Sequence, residues 1–338
     1  MTSNEIINKI AINNTEILKS SSNNKIVQIK WERSYKGLRN NPSWERITEK
    51  DIDLIENYSS KSNIIKNYKS LGSLNRSLVI NDKTIGPDIS WLVPPGFSWS
   101  KKYKFDSSIR GHSRRKAGEN FLAWNSGDAV GQFYFHPFHF NRNSFGFNLG
   151  MRSIYSGSFT GGSSSIGEGL SAVFRFDRKL SKNSGMAIGA EQLLHFDGLT
   201  DTGRDIYWTF SKGWWNRKYN NDQFPLTIAT AGIGTGKLAE GNIKGFCSNL
   251  LGGSGTEVAY QRKLCWSPIF ALARVYNEKL STFFEYNSKF FLLGSSFAPY
   301  KRLPIRGTFA VQLSDHIDNY KLNNFKELKW VFRVSLGF

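Results

Sequence analysis

The chain has two cysteines in 338 residues, and no apolar run in it reaches the roughly 18 residues that a spanning helix needs. The first shortage excludes a disulfide scaffold and a cysteine-ligated zinc domain; the second excludes a helical membrane protein. Acidic residues are also scarce, with 27 Asp and Glu against 45 Lys and Arg, a formal charge of +18. That balance suits nucleic acid, anionic lipid or an anionic polymer. The cations are spread along the whole chain, however, with no helix-turn-helix or RNA-binding signature, so no nucleic-acid partner is expected.

What the chain does have is glycine, 31 residues of it, and 14% aromatics, a composition that leans to β structure rich in turns. From about residue 100 onward, apolar residues recur with the strand period of two. Apolar faces run through Phe145, Phe147, Leu149 and Met151, then Leu170, Phe174 and Phe176, then Ile206, Trp208 and Phe210. They continue through Leu226 and Ile228; Ile269, Ala271, Ala273 and Val275; Phe290 and Leu292; and Ile305, Phe309 and Val311. About twelve strands result, an even number of the kind that closed membrane barrels use. Short connections ("NRN", "NEK") alternate with long ones such as 157–166 and 236–266, as in an up-and-down barrel with short periplasmic turns and long external loops. The exception is the ninth connection, a tight hairpin at Asn287 and Ser288; without it the flanking strands would merge into one far longer than a crossing needs.

The fold expected is therefore all-β: a transmembrane antiparallel up-and-down barrel over residues 96–338. Before it, residues 1–95 read as an extension, mostly irregular, with one short helix where Thr48 caps "ITEKDIDLIENY". The faces opposite the apolar ones carry Arg152, Arg175, Glu191, Asp205, Glu285, Arg306 and Arg333, the residues expected to line the lumen; Asp106, Arg110, Asp177 and Arg274 fall on the same side of the alternation. A soluble sandwich would show the same periodicity. Aromatics near strand ends, among them Tyr103, Trp208, Trp214, Tyr276 and Trp330, favour a lipid interface. The opening "MTSNEIINKIAINN" lacks the basic, apolar, small-residue layout of an export signal, which is at odds with an exported barrel.

The final stretch "WVFRVSLGF" resembles the C-terminal assembly signal of Gram-negative outer-membrane barrels, at Trp330, Phe332, Val334, Leu336 and Phe338. The segments "SGMAIGAEQLLHFDGLTDTGRDIYWTFSKGWW" and "FEYNSKFFLLGSSFAPYKRLPI" are similar to a group of cyanobacterial barrel proteins without an assigned activity. The resemblance implies location in the cell outer membrane, insertion by the barrel-assembly machinery, and surroundings of outer-membrane lipid and lipopolysaccharide.

Candidate chemistry is sparse. "AGIGTGKL" at 231–238 approaches a phosphate-binding loop, but Leu238 stands where Ser or Thr would hold magnesium, and turn glycines at a strand end explain it better. His136 and His139, three apart on a strand, point to opposite faces and do not share a metal. Asp315 with His316, and His195 near Asp197, have no serine in a nucleophile motif beside them. No catalytic residue, metal or cofactor is assigned. Cys247 and Cys265 either staple the longest external loop or remain thiols. Three functions stay open: a passive channel for small, preferably anionic solutes; a non-conducting structural or surface-interaction barrel; and an outer-membrane lipid-modifying enzyme. The channel is preferred because about twelve strands enclose more space than side chains fill.

Overall fold

The computed structural model describes residues 69–113, 127–156, 169–196, 204–218, 221–239, 246–248, 264–287, 290–299, 304–315, 320–321 and 329–338. Three short strands come first: β1 (Leu71–Leu74), β2 (Ser77–Ile80) and β3 (Thr84–Asp88). Next come β4 (Phe105–Ser113), β5 (Gly127–Phe140), β6 (Asn143–Ser156), β7 (Leu170–Lys179), β8 (Ser184–Ala190), β9 (Leu194–His195), β10 (Ile206–Lys218), β11 (Asn221–Gly234) and β12 (Phe246–Ser248). The last are β13 (Leu264–Val275), β14 (Leu280–Tyr286), β15 (Phe291–Phe297), β16 (Ile305–Gln312), β17 (Ser314–Asp315), β18 (Tyr320–Lys321) and β19 (Lys329–Gly337).

Twelve of these, β4–β8, β10, β11, β13–β16 and β19, pair antiparallel with their neighbours and close into a barrel. The seam is β19 against β4, with Arg333 opposite Arg110 and Gly337 opposite Asp106. The tight ninth connection is a hairpin, Tyr286 pairing with Phe291 across it. Alternation is soft near residues 130–140 because the β5–β6 register slips twice, between Ala129 and Gly131 and between Phe135 and Phe138. A bulge inserts a residue and flips the face presented by the rest of the strand. That is how Phe133, Phe138 and Phe140 all come to be exposed.

The barrel is polar inside and apolar outside. Ile109, Leu149, Phe174, Trp208, Leu293 and Val334 are exposed on its outer face, while Asp106, Arg110, Arg175, Asp177, Glu285, Arg306 and Arg333 are each 5% exposed or less. On β11, β13 and β15, however, the apolar face expected to look outward looks inward. Leu226, Ile228, Ile269, Ala271, Ala273, Val275 and Leu292 are buried, and Ala231, Ile233, Leu272, Leu293 and Phe297 take the outside. Arg274 accordingly lies outside, its guanidinium donating to Thr227 Oγ1 on the neighbouring strand.

Residues 69–104 explain the inversion. The sequence pattern groups everything up to residue 95 with the extension, but residues 69–104 sit inside the barrel, within the same compact unit, Ser59–Phe338. Two Asn-containing turns fold β1–β3 into a small sheet, with Asn75, Asn81 and Asp82 at positive φ, a conformation Asn and Asp tolerate in tight turns. One side of this plug is apolar: Leu71, Leu78, Ile80, Val93 and Phe97 form a single buried cluster with Leu226, Ile228, Ile269, Phe283 and Leu292 of the wall. At Gly96 backbone meets backbone. A Cβ there would lie 2.8 Å from the Gly185 carbonyl oxygen, so only glycine allows the approach. The Thr48 helix lies outside the described residues.

Candidate functional site

The other side of the plug is polar, and the wall residues that meet it include five of the seven expected lumen residues: Arg175, Glu191, Glu285, Arg306 and Arg333. The chain enters at the end where short turns join the strands, Leu71 N–H donating to Lys182 O. It reaches the far half of the lumen near Trp91 and returns to start β4.

Asp88 anchors the plug to β15, β16 and β19. Its carboxylate accepts from Arg306 Nε at 3.1 Å, from Arg333 Nε at 3.0 Å and from Thr308 Oγ1, and its N–H donates to Ser296 Oγ at 2.9 Å. Arg306 also holds Asp106 at 2.6 Å. Burial alone would raise the pKa of Asp88, but Arg333 and Arg306 outweigh it and hold the carboxyl below its usual range.

At the tip of the plug the wall reads backbone. The Trp91 and Leu92 N–H groups donate to Glu285 at 2.6 and 2.9 Å, and Arg333 donates to the carbonyls of Trp91 and Ser90 at 2.9 and 2.8 Å. These loop groups would otherwise be buried without partners, which the wall charges prevent.

Arg76, projecting from the first plug turn, pairs with Glu191 and donates to Leu92 O at 2.8 Å. Glu191 also accepts from Gln132 at 3.0 Å and Tyr134 at 3.2 Å, with Arg110 at 3.5 Å. Burial would push Glu191 up, but Arg76 and Arg110 bring it down to about 2.

The descending arm is held by β7 and β5. Arg175 donates to Pro95 O at 2.7 Å and Phe97 O at 3.0 Å, and Asp177 accepts from Trp99 N–H at 2.9 Å. The Trp99 ring stacks on His136 at 4.0 Å between centroids.

Asp205 lies elsewhere, immediately before β10, where it accepts from Lys237 N–H at 2.7 Å; burial pushes its pKa up to about 7. The side chain of Arg152 lies outside what is described. "AGIGTGKL" is the end of β11 followed by a 3-10 turn, Gly236–Leu238, with Leu238 buried. His136 is buried, and His139 Nε2 lies 3.1 Å from its carbonyl oxygen. Among the described residues no cluster of His, Cys, Asp and Glu could hold a metal. His195 Nε2 lies 2.9 Å from Gln192 O, while His316 and Asp197 fall outside the described residues. Cys265 is disulfide-bonded, and its partner is the chain's other cysteine, Cys247, directly across the β12–β13 pairing. On β19, Phe332, Val334 and Leu336 face outward, with Phe338 after them. Trp330 shares that face but is only 7% exposed, its ring 5.8 Å from that of Phe332 and 6.3 Å from that of Phe309.

Sequence reasoning missed Arg76 and Asp88. The signal that could have found them is the pair of turn dipeptides Asn75-Arg76 and Asn81-Asp82 between apolar runs, which reads as a β-meander. No protein-family model and no curated protein matches the chain.

Proposed function

We propose that the chain is an outer-membrane β-barrel closed by its own residues 69–104, a non-conducting barrel with a structural or surface-interaction role. The observation that carries this reading is the seating of the plug: Arg76, Asp88, Trp91, Leu92, Pro95, Phe97 and Trp99 bond to wall residues on both sides of the lumen. Twelve strands do enclose more than their own side chains fill, and a polypeptide takes up that space. Of the arginines that would select anions, the three whose side chains are described are engaged, Arg175 with Asp177, Arg306 with Asp88 and Asp106, and Arg333 with Asp88.

Membrane location is supported by the exposed apolar outer face and by buried charges within, the reverse of a soluble barrel. The Cys247–Cys265 disulfide suits an oxidising compartment such as the periplasmic side or cell surface. The outward residues of β19 and Phe338 suit recognition by the barrel-assembly machinery. The test is single-channel recording of the full chain in a planar bilayer. Its expected result is a heat-modifiable, folded protein that gives no steady current steps. Steady, anion-selective steps from that protein would overturn the closed reading in favour of a passive channel.

A further inference from the structure

We infer that the rim at the short-turn end is a collar that binds the phosphate headgroups of anionic glycerophospholipids, an assignment that rests on the membrane reading above. On three strands the outward face changes from apolar to cationic as it nears this rim. The order is Phe174, Phe176, Arg178 on β7; Trp208, Phe210, Lys212, Trp214 on β10; and Leu272, Arg274 on β13 with Tyr276 just after it. All three cations are exposed.

Their level relative to lipid is marked by Trp214 and Tyr276, both about half exposed (48% and 47%), since amphipathic rings settle at the headgroup boundary. The Lys212 ammonium is 5.6 Å from the Trp214 ring centroid, which holds it at that boundary and not among acyl chains. Arg274 gives one donor to Thr227 and has a five-donor fork that suits phosphate oxygens.

The turns add exposed Arg142 and Lys279, and the mouth of the plug adds Lys83, Lys101, Lys102 and Lys104. Against them, among the residues at this rim whose burial is described, stand the exposed carboxylate of Asp82 and the half-buried one of Glu278. Soluble polyanions would fit the end face of such a rim. Arg178, Lys212 and Arg274 lie instead on the lateral surface, continuous with the apolar belt, where the anion they meet carries an acyl tail.

The experiment uses the full chain folded into phosphatidylcholine vesicles and scored by its heat-modifiable band. It is then extracted with equal amounts of phosphatidylglycerol and phosphatidylcholine and examined by native mass spectrometry for retained lipid. At about fivefold per cation near a charged surface, the parent retains phosphatidylglycerol by tenfold or more. R178Q/K212Q/R274Q loses most of that preference, and the charge-conserving R178K/K212R/R274K keeps it. Equal retention of the two lipids by the folded parent, or an unchanged preference in the glutamine variant, overturns the collar and leaves the barrel standing. A parent that gives no heat-modifiable band in any vesicle overturns the membrane reading and the collar with it.

Discussion

Replacing Asp88 by Asn tests whether the plug is part of the folded unit. The substitution keeps the shape and removes the charge that faces two buried guanidinium groups. Arg306 retains Asp106 at 2.6 Å, so its charge stays compensated. Arg333 has no second carboxylate at salt-bridge distance among the described residues and keeps the carbonyls of Trp91 and Ser90 and the face of the Trp91 ring. Breaking a buried pair and stranding one charge costs about 3–5 kcal/mol. Because one of the two arginines keeps a partner, the lower figure, about 3 kcal/mol, is expected here. At about 2–4 °C per kcal/mol for a large domain, the midpoint of the heat-modifiable band shift falls by roughly 6–12 °C. Adding Arg333→Gln removes the stranded charge, and the double variant should lose less than the sum of the singles by about 1–3 kcal/mol.

The effect also has a sign in pH. A carboxyl whose folded pKa is depressed contributes stability that is present above its unfolded value, near 4, and lost as pH falls through the lower folded value. The Asn penalty is therefore full at pH 6 and shrinks in strong acid. A midpoint for Asp88→Asn within a degree of the parent at pH 6 would refute the plug as an integral part of the fold.

The inverted register of β11 gives a paired test: Ile228→Ala opens a cavity against the plug and lowers the thermal midpoint as a core truncation of about 2–5 kcal/mol does, whereas Ile233→Ala on the outer face changes it little. Equal effects would return both residues to one environment. Gly96→Val should unseat the descending arm, since Gly185 and Ser211 backbone atoms occupy the space of any side chain; protease cleavage near residue 96 in the variant but not the parent is the expected readout, and equal resistance counts against the contact. Asp205, with its folded pKa raised to about 7, binds a proton more tightly folded than unfolded, so stability falls as pH rises from about 4 to about 7. In Asp205→Asn that slope should flatten in midpoints taken across the window, and an unchanged slope would assign it to another group.

The barrel itself was legible because charge and alternation coincide on most strands. Where Arg175 and Asp177 interleave with Phe174 and Phe176, or Arg306 with Ile305, only one assignment puts the apolar side in lipid. The hairpin at Asn287 was legible from length, since one merged strand would overrun the membrane. The five lumen residues that meet the plug were legible for the same reason as the strands that carry them, but their partners were not. Glu285 receives backbone N–H groups from a segment 193 and 194 residues earlier, and no local pattern encodes that pairing.

By itself, then, the sequence determined the strand number and the period of two, which are local properties of backbone and side-chain order. It did not determine which face of β11 or β13 is inside, because both faces are largely apolar: Ile228 opposes Ala229 and Ile233, and Ala271 opposes Leu272. An apolar side chain leaves water equally well for lipid or for a protein partner, so the hydrophobic effect does not choose between them. Only the tertiary structure chose, by placing the apolar side of residues 69–104 against Leu226, Ile228 and Ile269 and their charged side against Arg306, Arg333 and Glu191. That placement buries each face of the plug against a complementary wall and sets residues 69–104 in the lumen.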